Sequence, residues 1–205
     1  MNATGLLTAT SVFVEPAENV VLGIATPRLV TDPVGTIRAN GMLVKPLNDP
    51  RIRLGAPLND LGFEIALPAI LPGTALAIEG YYSELDNAFY AFSLNAVGVP
   101  AASPALQASV LLANGRTARG ELTVNGAVSG VTGTAPVTVQ IFRVRPDGVV
   151  DTRIATVTAT ADALPGTFTY RFTGRDVSPF PTRVVARVVR GAVTATSSIA
   201  TVNAL

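Results

Sequence analysis

At 205 residues and a formal net charge of +1, the chain is long enough for one large domain or two smaller ones, and its charge is too weak to draw in nucleic acid or an anionic membrane by field alone. Apolar residues at 48% exclude a disordered chain, while charged residues at 14% fall below the roughly 25% of an ordinary domain. Cysteine and histidine are both absent, which removes disulfides, thiolate nucleophiles, the commonest general base and the commonest transition-metal ligand.

The N-terminal residues Met1-Asn2-Ala3-Thr4-Gly5 carry no basic region and lead into no unbroken apolar run, so no cleavable signal peptide is expected. Residues 6–14, Leu6-Leu7-Thr8-Ala9-Thr10-Ser11-Val12-Phe13-Val14, read as a first strand. Residues 1–18 form an arm in this reading. Further strands are expected over 20–30, 36–45, 63–67, 75–82 and 88–97, with Pro and Gly punctuating the intervals. Helical periodicity is nearly absent.

Between residues 45 and 63 a local repeat occurs, Pro46-Leu47-Asn48-Asp49 and Pro57-Leu58-Asn59-Asp60. Asn-Asp after Pro-Leu suits Asx-type turns. The oxygens also suit calcium, but two aspartates eleven apart match no calcium-loop spacing, so turn chemistry is the expectation. Glu79, Glu84 and Asp86 gather about the turn after Tyr81 and Tyr82 and read as a solvated hairpin tip, not a catalytic carboxylate pair. Ile37-Arg38-Ala39-Asn40-Gly41-Met42-Leu43-Val44 and Leu76-Ala77-Ile78-Glu79-Gly80-Tyr81-Tyr82 each set a glycine late in a strand, where a small barrel must coil sharply. With Phe89-Tyr90-Ala91-Phe92 following, residues 19–98 resemble an OB-fold-like barrel; a second sandwich is the alternative. OB-like barrels bind single strands through aromatics in a basic groove. Here the flanking charges are acidic, so no nucleic acid is expected.

Small residues, two prolines and no charge mark residues 99–105 as a linker. Seven strands are then expected, at 106–113, 121–128, 137–145, 150–161, 167–172, 182–189 and 193–202. In 137–145 the residues Val137, Val139 and Ile141 share one face and Thr138, Gln140 and Phe142 the other. Pro146-Asp147-Gly148 then turns the chain into a hairpin with 150–161. Seven strands at this spacing, with Pro165-Gly166-Thr167-Phe168-Thr169-Tyr170, make residues 106–205 resemble the immunoglobulin-like β-sandwich domains of bacterial and phage surface proteins. The paired cysteines and core tryptophan of antibody domains are missing. The expected fold class is therefore all-β, a small OB-like barrel or sandwich followed by a seven-stranded immunoglobulin-like sandwich.

No apolar stretch escapes Pro or Gly long enough to span a membrane as a helix; Pro68, Pro72, Gly73, Pro100 and Pro104 break the longest. Mean hydropathy is nonetheless +0.43. Either an Ala-, Val- and Thr-rich composition or apolar surface covered by neighbours explains it. Lys45 is the only lysine; the other cations are arginines. Arg183 and Arg187, an even number apart, share a sheet face, either solvated or set against acidic residues of a neighbour. No nucleophile elbow, phosphate loop or dinucleotide fingerprint is present, and neither an enzyme nor a cofactor is expected. The expectation is a structural subunit of a filament, sheath or virion, outside the cell or in a particle. Its partners are copies of itself, engaged through Leu6, Leu7, Val12, Phe13 and Val14 and through Arg183 and Arg187. A carbohydrate- or protein-binding surface module is the alternative.

Overall fold

A computed structural model describes residues 19–48 and 56–205. The chain is all-β, a five-stranded barrel followed by a curled nine-stranded sheet, with short 3-10 turns at Leu67–Ala69 and Thr117–Arg119.

The barrel is built from β1 (Asn19–Thr26), β2 (Ile37–Ala39), β3 (Met42–Pro46), β5 (Ala75–Ser83) and β6 (Ala88–Ala96), with the two-residue β4 (Leu58–Asn59) added alongside β6. Around the barrel the order is β1-β2-β3-β6-β5 and back to β1. Around this ring the pairings are antiparallel except the closing one, where β3 runs parallel to β6 from the Leu43–Ala88 pair to the Pro46–Ala91 pair; the added β4 also runs parallel to β6. A second sandwich for this half is thereby replaced by a closed barrel. Val44, Ile78, Phe89, Ala39 and Leu76 fill it, and Ile65 and Ile70 from the β4–β5 connection plug one end.

Three expected strands change; the one over residues 20–30 ends at Thr26, before Pro27. Residues 36–45 do not form one strand. Asn40 and Gly41 adopt φ of 51° and 83°, the two positive values a tight hairpin needs, and split the segment into β2 and β3. Residues 63–67 do not form a strand either. Glu64 makes one isolated bridge to Leu58, and Pro68 opens a 3-10 turn instead. Gly80 sits at a bulge between β5 and β6, where a Cβ would strike the Tyr90 carbonyl and the Phe89 ring. The strand-interior glycine thus permits the barrel's coil there, whereas Gly41 serves the turn.

The second sheet comprises β7 (Gln107–Arg116), β8 (Glu121–Ser129), β9 (Val137–Val144), β10 (Val150–Ala161), β11 (Phe168–Gly174), β12 (Arg183–Arg190), β13 (Val193–Thr196), β14 (Ala200–Thr201) and β15 (Asn203–Ala204). Its order is β13-β12-β9-β10-β11-β8-β7-β15, with β14 also on β12. Seven expected segments become nine strands because the last is broken. Ser197 leaves the ladder, and its Oγ accepts from Ala186 N–H at 3.0 Å. The hairpin between β9 and β10 forms about Gly148, whose φ is 85°.

The twelve-residue β10 turns the corner. Its first part pairs with β9, its register shifts twice about Arg153, and Thr160 and Ala161 pair with β11. A bulged strand that changes partners in this way lets one sheet fold over itself. Strand β7 consequently lies against β12, β13 and β14, and a single core of Val124, Val128, Val139, Ile141, Phe168, Val184 and Ala186 fills the space between.

The two sheets touch directly. Leu61 and Phe63, from the β4–β5 connection, cluster with Ala127 of β8, flanked by Ala101 and Leu164. The Ser109 hydroxyl donates to the Leu61 carbonyl at 2.7 Å, and the Tyr170 hydroxyl donates to the Ser109 carbonyl at 2.6 Å. Of residues 99–105, Val99 is buried in the barrel core, and Ala102 N–H bonds the Glu64 carbonyl.

Candidate functional site

Three surfaces concentrate features that the fold itself does not use. The first is β1. Val20, Leu22 and Ile24 are 60%, 72% and 51% exposed, a continuous apolar stripe on the barrel's outside, while Ala25 on the opposite face is buried. β1 pairs with β5 along Asn19–Ile24 but meets β2 only at Ala25 and Thr26. Beyond that point the β2–β3 hairpin has already turned back. Asn40 at its tip fills part of the gap, its Oδ1 accepting from Ile24 N–H at 3.0 Å and its Nδ2 donating to the Leu22 carbonyl at 3.4 Å. Among the described residues no strand pairs with the rest of that edge.

The second surface surrounds the β5–β6 turn. Parallel pairing sets Lys45 of β3 opposite Tyr90 of β6. Lys45 Nζ donates to Asp86 Oδ2 at 2.6 Å and lies 5.3 Å from the Tyr90 ring centre. Ser83 Oγ donates to Asp86 Oδ1 at 2.6 Å, and the Tyr90 hydroxyl donates to Asp86 Oδ2. Tyr81 stacks on Tyr90 with centroids 5.4 Å apart, and Tyr82 is 45% exposed beside a shallow cavity of about 380 Å³ that Arg38, Met42 and Asn87 also line. The hydrogen bonds from Lys45, Ser83 and Tyr90 hold the Asp86 carboxyl well below the usual carboxylate range. The Asp86 hydrogen bond in turn raises the Lys45 ammonium and the Tyr90 phenol. Asp86 therefore stays ionised and Lys45 stays protonated at neutral pH. A carboxylate so saturated with donors is a poor general acid, and a lysine held protonated is a poor base.

The third surface is the outer face of the second sheet. Arg183 and Arg187 do share it, as their spacing requires. The Arg187 guanidinium lies 4.7 Å from the Phe142 ring centre, and Arg183 Nη2 donates to the Pro146 carbonyl at 2.6 Å. Both are half-buried against their own chain. Val185 between them is 1% exposed although it lies outside the main core, so the arginine stems cover apolar surface there.

Of the sequence-expected contact residues, Leu6, Leu7, Val12, Phe13 and Val14 lie outside the described residues, and the structure places only Arg183 and Arg187. The Pro-Leu-Asn-Asp repeat resolves for its second copy. Asn59 Oδ1 accepts from Leu61 and Phe63 N–H at 3.1 and 2.9 Å, which is turn chemistry, and Asp60 Oδ1 accepts from Gly98 N–H at 3.0 Å. Asp49 of the first copy lies outside the described residues. Among the described residues no group of acidic side chains is gathered as a metal site. No described helix is long and apolar enough to cross a membrane.

The β1 stripe escaped the sequence reading. Val20, Val21, Leu22, Ile24 and Ala25 are apolar on both faces, so alternation carries no inside–outside signal there. Compared with protein-family models, curated proteins and solved structures, the chain matches none.

Proposed function

We propose that this protein is a non-enzymatic structural subunit that assembles with copies of itself, into an extracellular filament or sheath or into a virion. The observation that carries this reading is the stripe of Val20, Leu22 and Ile24 along a strand edge that lacks a partner among the described residues. Exposed apolar side chains in a contiguous row, beside free main-chain donors and acceptors, form a template for another strand. Full burial of one such side chain is worth about 1.5–3 kcal/mol. The barrel order, with its one parallel closing pair, favours an OB-like kinship for the first half, and the curled sheet with one enclosed core favours an immunoglobulin-like kinship for the second. Location on a cell surface or in a particle belongs to the same proposal.

Size-exclusion chromatography with negative-stain microscopy tests it. Oligomers or polymers are expected at high protein concentration, and a monodisperse monomer with no tendency to associate would overturn the reading.

A second reading, a carbohydrate- or protein-binding module, is favoured by the Tyr81–Tyr90 stack on one face of the β5–β6 hairpin and by exposed Tyr82 beside the shallow cavity on the other. The chain has no tryptophan, and Tyr81, Tyr82 and Tyr90 are three of its four tyrosines, so tyrosine fluorescence reports on this region. A saturable change on titrating oligosaccharides into a monomeric protein would favour this module over the subunit.

A further inference from the structure

The self-assembly reading leaves open which surface receives the neighbouring copy, and the geometry points to β1. Resting on that reading, we propose that the outer edge of β1, at Val20 and Leu22, is the acceptor for residues 6–14 of a second copy.

The edge has the right main-chain groups. Ala25 N–H reaches across to the Thr74 carbonyl on the β5 side, whereas Asn40 binds Ile24 N–H and the Leu22 carbonyl from the other side. Alternation along the strand therefore turns the Val20 and Leu22 N–H groups away from β5, and among the described residues no strand meets them. The outward side chains of the same residues supply the apolar cross-strand neighbours that an added strand pairs with.

The chain also carries a matching donor. Residues 6–14 contain no Pro, Gly or charge and are rich in Val, Thr and Leu, which is strand composition. Nine residues extended at ~3.3 Å each reach ~30 Å, more than the length of the free edge. Leu6, Val12 and Val14 are even-numbered and share one face of any strand they form, with Thr8 and Thr10 between them.

The second copy as donor follows from the self-assembly reading, and the connection defines the competing route within one chain. Four residues, Glu15-Pro16-Ala17-Glu18, separate Val14 from Asn19. A two-residue hairpin loop onto the chain's own β1 would call for Gly, Asn or Asp in a left-handed conformation, whereas a four-residue loop about a type I turn accepts Pro, so donation within one chain is the competing outcome that the test separates. Non-reciprocal donation adds subunits without closure and gives a fibre; reciprocal donation gives a dimer.

The absence of cysteine makes the test clean. Val12→Cys and Leu22→Cys proteins, one carrying a tag that changes its mass, are mixed under mild oxidation. The expected result is a covalent dimer containing one copy of each, formed in the mixture far beyond what either variant gives alone. The Val12→Cys/Leu22→Cys double variant separates the alternatives: a bond closed within one chain, without a covalent dimer in the mixture, overturns donation between copies. Leu22→Glu, its fold checked by circular dichroism, is expected to lose the assembly that the unmodified protein forms. Assembly of the unmodified protein that survives Leu22→Glu and yields no mixed dimer overturns the β1 acceptor and leaves self-assembly standing. A monomeric unmodified protein overturns both.

Discussion

Asp32 shows how single side chains hold the barrel's long β1–β2 loop. Its Oδ2 accepts from Arg38 Nε at 2.7 Å and from Leu29 N–H at 2.7 Å, and its Oδ1 accepts from Arg38 Nη2 at 2.8 Å. Arg38 also donates to the Gly41 carbonyl, so one guanidinium ties the loop to the hairpin tip. The Arg38 hydrogen bond is the main reason the Asp32 carboxyl falls from its ordinary 3.8 to about 2. A carboxyl depressed on folding stabilises the folded state above its unfolded value and loses that contribution as pH falls through its folded value. The Asp32 contribution should thus be whole above about pH 4 and fade toward pH 2. Urea unfolding of the unmodified protein and of Asp32→Asn at pH 5, 4, 3 and 2 checks this: the gap between them should narrow steadily as pH falls. A gap that stays constant would place the carboxylate's role elsewhere. None of this was legible in the sequence, because Asp32 and Arg38 meet only through the path of a loop.

At the scale of elements, the β2–β3 hairpin is the instructive case. Asn-Gly between two apolar runs is a strong short-range hairpin signal, and it stands in the sequence at Asn40 and Gly41. Reading residues 36–45 as one strand let continuous β-branched and apolar character outweigh it. The structure gives Gly41 a φ of 83° with open space around it, so only backbone conformation is at stake in a substitution. Gly41→Ala should therefore destabilise by about 1–2 kcal/mol without disturbing packing. Denaturant midpoints measure it, and an unchanged midpoint would mean that the turn tolerates a side chain. By contrast, β8, β9 and β10 fall where alternation and the Pro-Asp-Gly turn put them, since both signals are local. The segment 63–67 stops at a single bridge beside the two-residue β4, because Phe63 turns to the second sheet, Ile65 to the barrel core, and Pro68 bends the chain into a 3-10 turn.

For the whole molecule, the junction between the sheets decides how the chain unfolds. Phe63 is 3% exposed and clusters with Leu61 and with Ala127 from the second sheet, while Ser109 bonds across to Leu61. Burial shared between sheets couples their stabilities. Calorimetry should show one cooperative transition for the unmodified protein. Phe63→Ala, which removes about 3 kcal/mol of buried contact, should split it into two. A single transition in the variant would show that coupling resides elsewhere along the 99–105 connection.

What the sequence determined by itself was local: strand after strand separated by Pro- and Gly-marked turns, an all-β chain, and the absence of histidine and cysteine. These follow from backbone preference and residue type, which need no partner. Tertiary structure alone decided closure and exposure. The barrel closes because Leu43 pairs with Ala88, 45 positions later, in a parallel register that no local pattern encodes. That same closure leaves β2 too short to cover β1, and so turns Val20, Leu22 and Ile24, apolar residues like any in a core, toward the outside.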